Sequence, residues 1–234
     1  MKKEKISIIM PLYNEENTLY KIMDKLQNTN ILDLDKEIII VNDASKDNTK
    51  KIIHDLMKKH SNIKYLEHSK NKGKGAAIKT AQSYVSGDYV TIQDGDLEYN
   101  PQDFNELIKP IIDGKTNVVY GSRMKGKITG FQIPSHYYGN LFLSSVTRIL
   151  YGQKITDMET CYKMMRADIF KGLNLKSNRF NIEPEITAKL AKKKHNIMEI
   201  PINYISRSFS EGKKIHWNDG LSAIIALFKY RFFN

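Results

Sequence analysis

One stretch of the chain reads Val90-Thr91-Ile92-Gln93-Asp94-Gly95-Asp96-Leu97-Glu98. It begins as an apolar strand and continues directly into three carboxylates at alternating positions. Because side chains two residues apart at the end of a strand lie on the same face, these carboxylates can converge on one cation. Mg²⁺ and similar hard ions prefer oxygen ligands, usually one or two carboxylates together with substrate phosphates. The stretch therefore favours a metal-assisted phosphate site, although Asp and Gly also form ordinary turns.

The first half of the chain alternates strand-like and helix-like patterns around this stretch. Strand-like runs cover residues 6–10, 37–41, 63–66 and 88–92, and apolar residues recur at helical spacing over residues 15–26, 49–59 and 75–85. The alternation predicts an α/β fold in which parallel β-α units form a twisted, mainly parallel sheet flanked by helices. Ligands of such sheets bind outside the carboxyl ends of the strands. We therefore expect the site in the loops that begin at Pro11, Asn42, Glu67 and Gln93.

The second half of the chain is less regular. A fifth strand-like run covers residues 118–123, helical spacing covers residues 137–150, and a mixed region follows. No linker rich in proline, glycine or serine divides the chain, and no internal repeat is present. We therefore expect a single domain over residues 1–217 and an amphipathic C-terminal helix over residues 218–234.

Charge and hydropathy indicate a protein that works beside a membrane. The formal charge of +11 is compatible with an acidic substrate, an anionic membrane surface or nucleic acid. From Lys189 onwards, nine basic residues accompany three acidic ones and lead into the apolar segment 221–233. This segment is too short to span a bilayer, so it favours a helix on a membrane surface, with packing on the protein's own core as the alternative. The lysine-rich start continues into a strand rather than a signal-peptide core, which favours the cytoplasmic side.

Cysteine and histidine usage excludes two further kinds of site. Cys161 is the single cysteine, so an intrachain disulfide cannot form. The histidines lack metal-ligand spacing, so we expect no zinc site and place His68 on an exposed face. The candidate chemistry therefore depends on carboxylates and basic residues.

Three loops at the expected edge carry residue types suited to a nucleotide. They contain Pro11-Leu12-Tyr13-Asn14-Glu15, Asn42-Asp43-Ala44-Ser45 and Asn71-Lys72-Gly73-Lys74-Gly75-Ala76. The first two supply an aromatic ring, acids and small polar groups for a base and ribose pocket. The third opens a helix with glycines and lysines, which favours an anion at the helix N-terminus. Its spacing is not that of a Walker A loop.

These motifs occur in an order that resembles family 2 glycosyltransferases with the GT-A fold. The matching segments are residues 11–16, 41–49, 71–77, 93–98, 121–123 and 156–163, within roughly residues 5–217. The chain looks most similar to the polyprenyl-phosphate (dolichol-phosphate) mannose and glucose synthases. This resemblance implies a Rossmann-like GT-A sheet and an inverting, metal-dependent hexosyltransferase. The implied donor is a GDP- or UDP-sugar, and the implied acceptor is a polyprenyl (dolichyl or undecaprenyl) phosphate.

The resemblance also implies roles for individual residues. Nucleotide-sugar binding is expected from Pro11, Tyr13, Glu15, Asp43, Lys74 and Asp94, with Asp43 towards the base. Mg²⁺ or Mn²⁺ is expected on Asp94, Asp96 and Glu98. Two positions depart from the usual pattern. Asn42 replaces the first acid of the second loop, which leaves the base open, and Glu98 replaces the glutamine common in mannose synthases but keeps an oxygen ligand.

Charge indicates which further residues the reaction needs. A phosphate acceptor is ionised at neutral pH, because its second pKa is about 6, so it requires no general base. It does require cations, and Arg123 and Arg207 are the candidates, since the arginine fork suits phosphate oxygens. A hydroxyl acceptor, the alternative, needs a base, for which Asp157 is the candidate. We favour a role of Asp157 and Glu159 in orienting the acceptor or in holding neighbouring basic groups. The predicted catalytic residues are Asp96, Arg123, Asp157 and Arg207.

Two further hypotheses are weaker. Glu183 and Glu185 lie near the start of a helical segment, where acids are favoured without any catalytic role. A nucleic-acid-binding module would account for the positive charge, but the carboxylates at residues 94–98 would repel phosphates. We therefore expect a nucleotide sugar, a lipid phosphate and a membrane surface as partners, and no nucleic acid. The sequence leaves the sugar, the base and the oligomeric state open.

Overall fold

The computed structural model describes residues 3–130, 134–207 and 217–233. Its first half contains β1 Lys5–Leu12, α1 Leu19–Asn28, β2 Asp35–Asn42, α2 Thr49–Lys59, β3 Ile63–Glu67, α3 Lys74–Gln82, β4 Tyr89–Ile92 and α4 Phe104–Ile112, with a short 3₁₀ turn, Pro101–Asp103, before α4. Its second half contains β5 Val118–Gly130, α5 Pro134–Tyr151, β6 Lys163–Arg166, α6 Ala167–Lys171, α7 Ile182–Lys192, β7 Ile197–Ser206 and α8 Trp217–Phe232.

These strands form one seven-stranded sheet in the order β3-β2-β1-β4-β6-β5-β7. The pairs β1/β2, β2/β3, β1/β4 and β5/β7 are parallel. Strand β6 is antiparallel to both of its neighbours, β4 and β5. The predicted mainly parallel α/β sheet is confirmed, with one reversed strand that the sequence analysis did not predict.

Burial explains why the central strands are apolar at consecutive positions. Ile8 on β1, Ile39 on β2 and Val90 on β4 lie in the core. In a parallel sheet both faces are covered by helices, so neither face of a strand can be polar. Helices α1 and α2 each contribute one apolar face to this core, which includes Leu19 and Ile53.

Element boundaries agree for α2 and differ elsewhere. The predicted helix at residue 15 begins only at Leu19, because the preceding residues form a turn. In this turn the backbone N–H of Glu15 donates to Thr49 Oγ1 at 2.8 Å, and the Glu15 carbonyl accepts from Leu19 at 3.0 Å. Helix α3 begins at Lys74 and ends at Gln82, earlier at both ends than predicted. The turn before α1 leaves Glu15 at the carboxyl edge of the sheet.

The second half contains the larger differences. Strand β5 continues to Gly130, beyond the predicted end at residue 123, and its register with β7 shifts between Ser122 and Lys127. Gly126 lies inside this irregularity, where a Cβ would come within 1.8 Å of the Ile202 carbonyl oxygen. The C-terminal helix begins at Trp217, just before the predicted boundary. Close backbone approach at Gly126 allows the irregular strand to keep its pairing with β7.

Candidate active site

A cavity of about 600 Å³ lies at the carboxyl ends of β1, β2 and β4. Its wall also includes Tyr137 and Asn140 of α5 and Tyr204 of β7. All of the predicted site residues except Asp157 line it: Pro11, Tyr13, Glu15, Asp43, Lys74, Asp94, Asp96, Glu98, Arg123 and Arg207. Loops that are distant in the chain meet here because neighbouring parallel strands end at the same edge of the sheet.

Asp43 orders the loop in front of α3. Its Oδ1 accepts the backbone N–H of Lys72 at 2.9 Å, and its Oδ2 accepts that of Gly73 at 2.7 Å. Gly73 has a φ of 96°, which favours glycine, and a Cβ there would lie 2.5 Å from the Asn178 carbonyl oxygen. The predicted base-binding carboxylate is therefore also a structural anchor for the glycine-lysine loop.

His68 is a residue that the sequence analysis placed wrongly. It is buried rather than exposed, because its backbone N–H bonds to the Asn42 carbonyl and directs the chain inward. The imidazole Nδ1 lies 2.6 Å from Asp43 Oδ1, and Nε2 lies 2.9 Å from Thr80 Oγ1. His68 thus connects Asp43 to α3. Only its position directly after β3, at the carboxyl edge, was a signal for this role in the sequence.

Lys74 joins two acidic groups of the cavity. Its ammonium lies 2.9 Å from Asp94 Oδ1 and 3.0 Å from Glu183 Oε1. Burial alone would lower the pKa of Lys74, but the negative charges around it, Asp94 first, raise that pKa well above its ordinary value. The lysine therefore stays charged. Glu183 in turn accepts from Lys163 Nζ at 2.5 Å, so alternating charges extend from Asp94 to Lys163.

Asp96 and Glu98 face a common cation, Arg207. Arg207 Nη2 donates to Asp96 Oδ2 at 2.7 Å, and its backbone N–H donates to Glu98 Oε1 at 2.9 Å. Tyr204 donates to the other oxygen of Glu98 at 2.7 Å. Burial, followed by the charges of Asp94 and Glu98, raises the pKa of Asp96 to about 8. Asp94, Asp96 and Glu98 form an acidic cluster, and a bound cation relieves the repulsion between their carboxylates.

The same donor set fits a hard divalent ion. Asp96 and Glu98 already approach one cation, and carboxylate oxygens are the preferred ligands of Mg²⁺. The structure does not bring the third predicted ligand to the same point, because Asp94 pairs with Lys74. Within the described parts of the chain, no three acidic, histidine or cysteine side chains already form a metal cage. The carboxylates fit a metal that takes its remaining ligands from a substrate or from water.

Arg123 and Asp157 form a fork beneath the cavity. Arg123 Nε and Nη2 each donate to a separate oxygen of Asp157 at 2.7 Å, and the Arg123 backbone N–H adds a third bond at 2.8 Å. Asn140 Nδ2 also donates to Asp157 at 2.8 Å. Burial would raise the pKa of Asp157, but Arg123 and these hydrogen bonds lower it. Arg123 lines the cavity, whereas Asp157 is fully buried behind it.

Two other acids line the cavity: Glu183, for which the sequence favoured an ordinary position at a helix start, and Glu159, for which it favoured orienting the acceptor or holding basic groups. Glu183 is in the first turn of α7, as expected, but it is also buried between Lys74 and Lys163. Glu159 has a buried Oε1 without a hydrogen-bond partner among the described residues. Burial raises the pKa of Glu159 to about 7, although Lys163 opposes the shift. Periodicity could not identify either role, since both depend on residues from other elements.

Helix α8 packs on the domain, which is one of the two alternatives considered for the C-terminal segment, and it also exposes apolar side chains. Leu227 and Tyr230 are buried, and α8 packs against α5 and α7. Ile225, Phe228 and Phe232 are nevertheless 60%, 45% and 63% exposed. No helix in the described residues is long and apolar enough to cross a membrane. The helix is therefore anchored on the domain and still presents large apolar side chains to the outside.

Comparison with known proteins identifies the family to which this site belongs. The model of the glycosyl transferase family 2 matches residues 7–173. A UDP-N-acetylglucosamine–dolichyl-phosphate N-acetylglucosaminyltransferase of Methanococcus voltae is 33% identical, over 88% of this chain and 87% of the relative. A dolichol-phosphate mannosyltransferase of Pyrococcus furiosus is 28% identical, over 89% of this chain and 59% of the relative.

The fold has solved counterparts as well. The crystal structure of glucosyl-3-phosphoglycerate synthase from Mycobacterium tuberculosis, in complex with Mn²⁺, UDP and glucosyl-3-phosphoglycerate, superposes with a TM-score of 0.70. The superposition covers 97% of this chain and 80% of that one, at 17% sequence identity. At this identity the likeness demonstrates a shared fold.

Proposed function

Because the chain belongs to glycosyl transferase family 2, we propose that it is an inverting enzyme that moves a hexose from a GDP- or UDP-sugar to a polyprenyl phosphate. The relatives from Methanococcus voltae and Pyrococcus furiosus transfer sugars to dolichyl or dolichol phosphate, and they support this acceptor class. The chain is a glycosyltransferase of the dolichyl-phosphate sugar transferase kind.

The choice between a phosphate and a hydroxyl acceptor rests on the fork between Arg123 and Asp157. A hydroxyl acceptor needs a base with access to substrate, but Asp157 is fully buried and both of its oxygens accept from Arg123. A phosphate acceptor needs a fixed cation instead, and Arg123 is held at the cavity wall. We therefore assign Arg123 to the acceptor phosphate and Asp157 to the positioning of Arg123.

The donor would occupy the edge that holds the acidic residues and the glycine-lysine loop. Pro11, Tyr13 and Glu15 line the part of the cavity next to Asp43, which suits a nucleoside. Asp96 and Glu98 would hold Mg²⁺ or Mn²⁺, with Asp94 and Lys74 beside them. Such an ion, when bound, offsets the charge that develops on the leaving diphosphate. The solved relative that contains Mn²⁺ and UDP is consistent with a divalent ion.

The reaction that we propose needs no proton transfer. An ionised oxygen of the lipid phosphate attacks the anomeric carbon as the bond from that carbon to the donor diphosphate breaks. The products are a lipid-linked monosaccharide and a nucleoside diphosphate, and displacement inverts the anomeric configuration. Arg123 binds the attacking phosphate, and Arg207, which now contacts Asp96, offsets charge on the diphosphate side.

We further propose that α5 and α8 lie on an anionic membrane surface at the cytoplasmic side. Their exposed apolar side chains include Tyr138 and Phe142 of α5 and Ile225 and Phe228 of α8. Lys229 and Arg231 add positive charge to α8, which suits anionic lipid. Residues of both helices also line the cavity, so a lipid phosphate in the membrane would lie near Arg123. In this proposal residues 1–217 are the catalytic domain and residues 218–234 are the surface helix.

The decisive experiment measures sugar transfer into the lipid fraction. Purified protein is incubated with Mg²⁺ or Mn²⁺, a polyprenyl phosphate in anionic vesicles, and UDP-N-acetylglucosamine, UDP-glucose or GDP-mannose in turn. We expect transfer from one donor to the lipid. Transfer to sugar or protein hydroxyls, with none to the lipid phosphate, would overturn the proposal.

Two variants make this experiment specific. Asp96→Asn removes a carboxylate that contacts Arg207 in the acidic cluster, and we expect it to lower transfer roughly a hundredfold or more. Asp24→Asn makes the same chemical change at an exposed position of α1 and should leave transfer unchanged. Equal activity of the two variants would show that the acidic cluster does not take part in the reaction.

A further inference from the structure

Glu159 is a cavity carboxylate whose buried oxygen has no hydrogen-bond partner among the described residues. A buried oxygen without a hydrogen-bond donor is unfavourable. In native proteins such groups commonly bond to a ligand or to water. The nearby cations do not supply a donor. Lys163 Nζ donates to the carbonyls of Met158 and Thr160 and to Glu183, which uses its three N–H groups.

Arg123 does not bond to the buried Glu159 oxygen either. The Nε and Nη2 groups of Arg123 donate to Asp157 at 2.7 Å each. The charges of four nearby groups nevertheless act on Glu159: Arg123, Asp157, Lys163 and Glu183. Glu159 therefore lies near both the acceptor fork and the ion pairs that lead through Lys74 to the donor carboxylates. These groups line or adjoin the same cavity, in which the proposed function places the transferred sugar.

The charge around Glu159 restricts what can bind there. The positive charges of Lys163 and Arg123 offset the negative charges of Glu183 and Asp157, so the ionised Glu159 carboxylate itself leaves the surroundings net negative and disfavours a phosphate group at its buried oxygen. An uncharged group with O–H donors meets no such repulsion and supplies the missing hydrogen bond. The hydroxyls of a sugar ring have this chemistry.

We propose that Glu159 binds hydroxyl groups of the transferred hexose and thereby fixes the sugar between the diphosphate and the acceptor. This inference rests on the proposed function, because it assumes a nucleotide-sugar donor. It assigns Glu159 to sugar recognition, whereas the nucleotide is bound by other residues of the cavity. A carboxylate that accepts from two neighbouring hydroxyls would also discriminate between hexoses by the orientation of those hydroxyls.

The test compares binding of a nucleotide sugar with binding of the matching nucleoside diphosphate, by calorimetry with Mn²⁺ and without acceptor. The donors are UDP-N-acetylglucosamine, UDP-glucose and GDP-mannose. For the donor that the wild-type protein binds, we expect Glu159→Ala to weaken sugar-nucleotide binding roughly tenfold to a hundredfold. Binding of UDP or GDP alone should change less than about twofold. Glu159→Gln keeps the shape and one acceptor oxygen, so its loss should be intermediate.

A matched control is Glu106→Gln, which changes an exposed glutamate of α4 and should leave both affinities unchanged. An equal loss of UDP and UDP-sugar binding in the Glu159 variants would indicate a structural role and overturn the proposal. Unchanged sugar-nucleotide binding in Glu159→Ala would overturn it as well.

The acceptor proposal is separable from this test. Wild-type protein that binds a nucleotide sugar through Glu159 but transfers nothing to lipid would overturn the lipid-phosphate acceptor alone. Wild-type protein that binds no nucleotide sugar would overturn both proposals.

Discussion

The guanidinium of Arg207 bridges Asp96 and Glu98, with Nη2 2.7 Å from Asp96 Oδ2 and Nε 3.6 Å from Glu98 Oε1. Arg207 follows the end of β7, whereas the two acids follow β4. The bridge thus joins the two loops across the cavity and supplies positive charge to a carboxylate pair. A divalent ion bound to the same oxygens would compete with Arg207 for them.

We predict that Arg207→Gln strengthens the binding of Mn²⁺ to the nucleotide-free protein, roughly tenfold. Removal of the guanidinium leaves Asp96 and Glu98 with less positive charge nearby, so their attraction for a metal ion increases. Titration of Mn²⁺ followed by electron paramagnetic resonance measures this affinity directly. Arg148→Gln removes an exposed arginine of α5 and is the control. Weaker Mn²⁺ binding in Arg207→Gln would mean that Arg207 helps to form the metal site.

The fork between Arg123 and Asp157 gives a second prediction. Asp157→Asn removes one partner of a buried ion pair, so the free energy of unfolding should fall by about 3 kcal/mol. Transfer to lipid phosphate should persist, with kcat lowered less than the roughly hundredfold expected for loss of a general base. Urea unfolding and steady-state kinetics provide the two measurements. Complete loss of kcat in a folded Asp157→Asn protein would instead support Asp157 as the general base for a hydroxyl acceptor.

Arg123→Lys is the companion variant in this experiment. It keeps the charge but cannot form the two-pronged contact with Asp157. We expect the KM for lipid phosphate to rise more than the KM for the donor. A change confined to the donor KM would place Arg123 on the diphosphate side of the reaction.

The apolar surface of α5 and α8 gives a third prediction. Phe228→Glu should weaken binding to vesicles that contain anionic lipid by roughly tenfold, because it replaces an exposed apolar side chain, which in our proposal contacts the membrane, with a negative charge near the headgroups. Binding of the donor in solution should be unchanged. Tyr20→Glu alters a comparably exposed aromatic residue of α1 and is the control in vesicle sedimentation. Equal losses in both variants would contradict a specific membrane face.

The β-α units of the first half were predictable because their signals are local. The apolar runs of β1, β2 and β4 and the periodicity of α2 lie within single segments, and parallel topology then brings their loop ends together. The same reasoning located Asp43, Asp96 and Arg123 at one cavity. It rested on the residue types that follow the strand-like runs and, for the role of Asp43, on the resemblance to family 2 glycosyltransferases.

The remaining features depend on contacts between distant segments. The reversed strand β6 pairs with β4 and β5, and the β5 irregularity depends on β7, so neither is visible in one segment. His68 was placed on the surface because, apart from its position directly after β3, nothing near it in the sequence indicates the bond to Asp43. The position of Glu183 was accounted for by the preference of acids for helix N-termini. Its ion-pair partners, Lys74 and Lys163, belong to other elements and are not apparent from its own segment.

Glu159 gives a final prediction, on the pH dependence of stability. Burial raises the pKa of its carboxyl from 4.5 to about 7, so the folded protein retains this proton over a range in which the unfolded chain has lost it. Protonation therefore stabilises the fold below pH 4.5, and that contribution is lost as the pH rises to about 7. Lys163 lowers the pKa of Glu159 and Glu183 raises it, but burial has the largest effect on this pKa.

Glu159→Gln removes this titration while it keeps the shape of the side chain. Relative to the wild type, the variant should gain about 2 to 3 kcal/mol in free energy of unfolding between pH 5 and pH 8. Urea unfolding of both proteins across this range, without nucleotide or metal, measures the difference. Glu106→Gln should follow the wild-type curve, since Glu106 is exposed. Parallel curves for Glu159→Gln and the wild type would show that Glu159 does not carry a raised pKa.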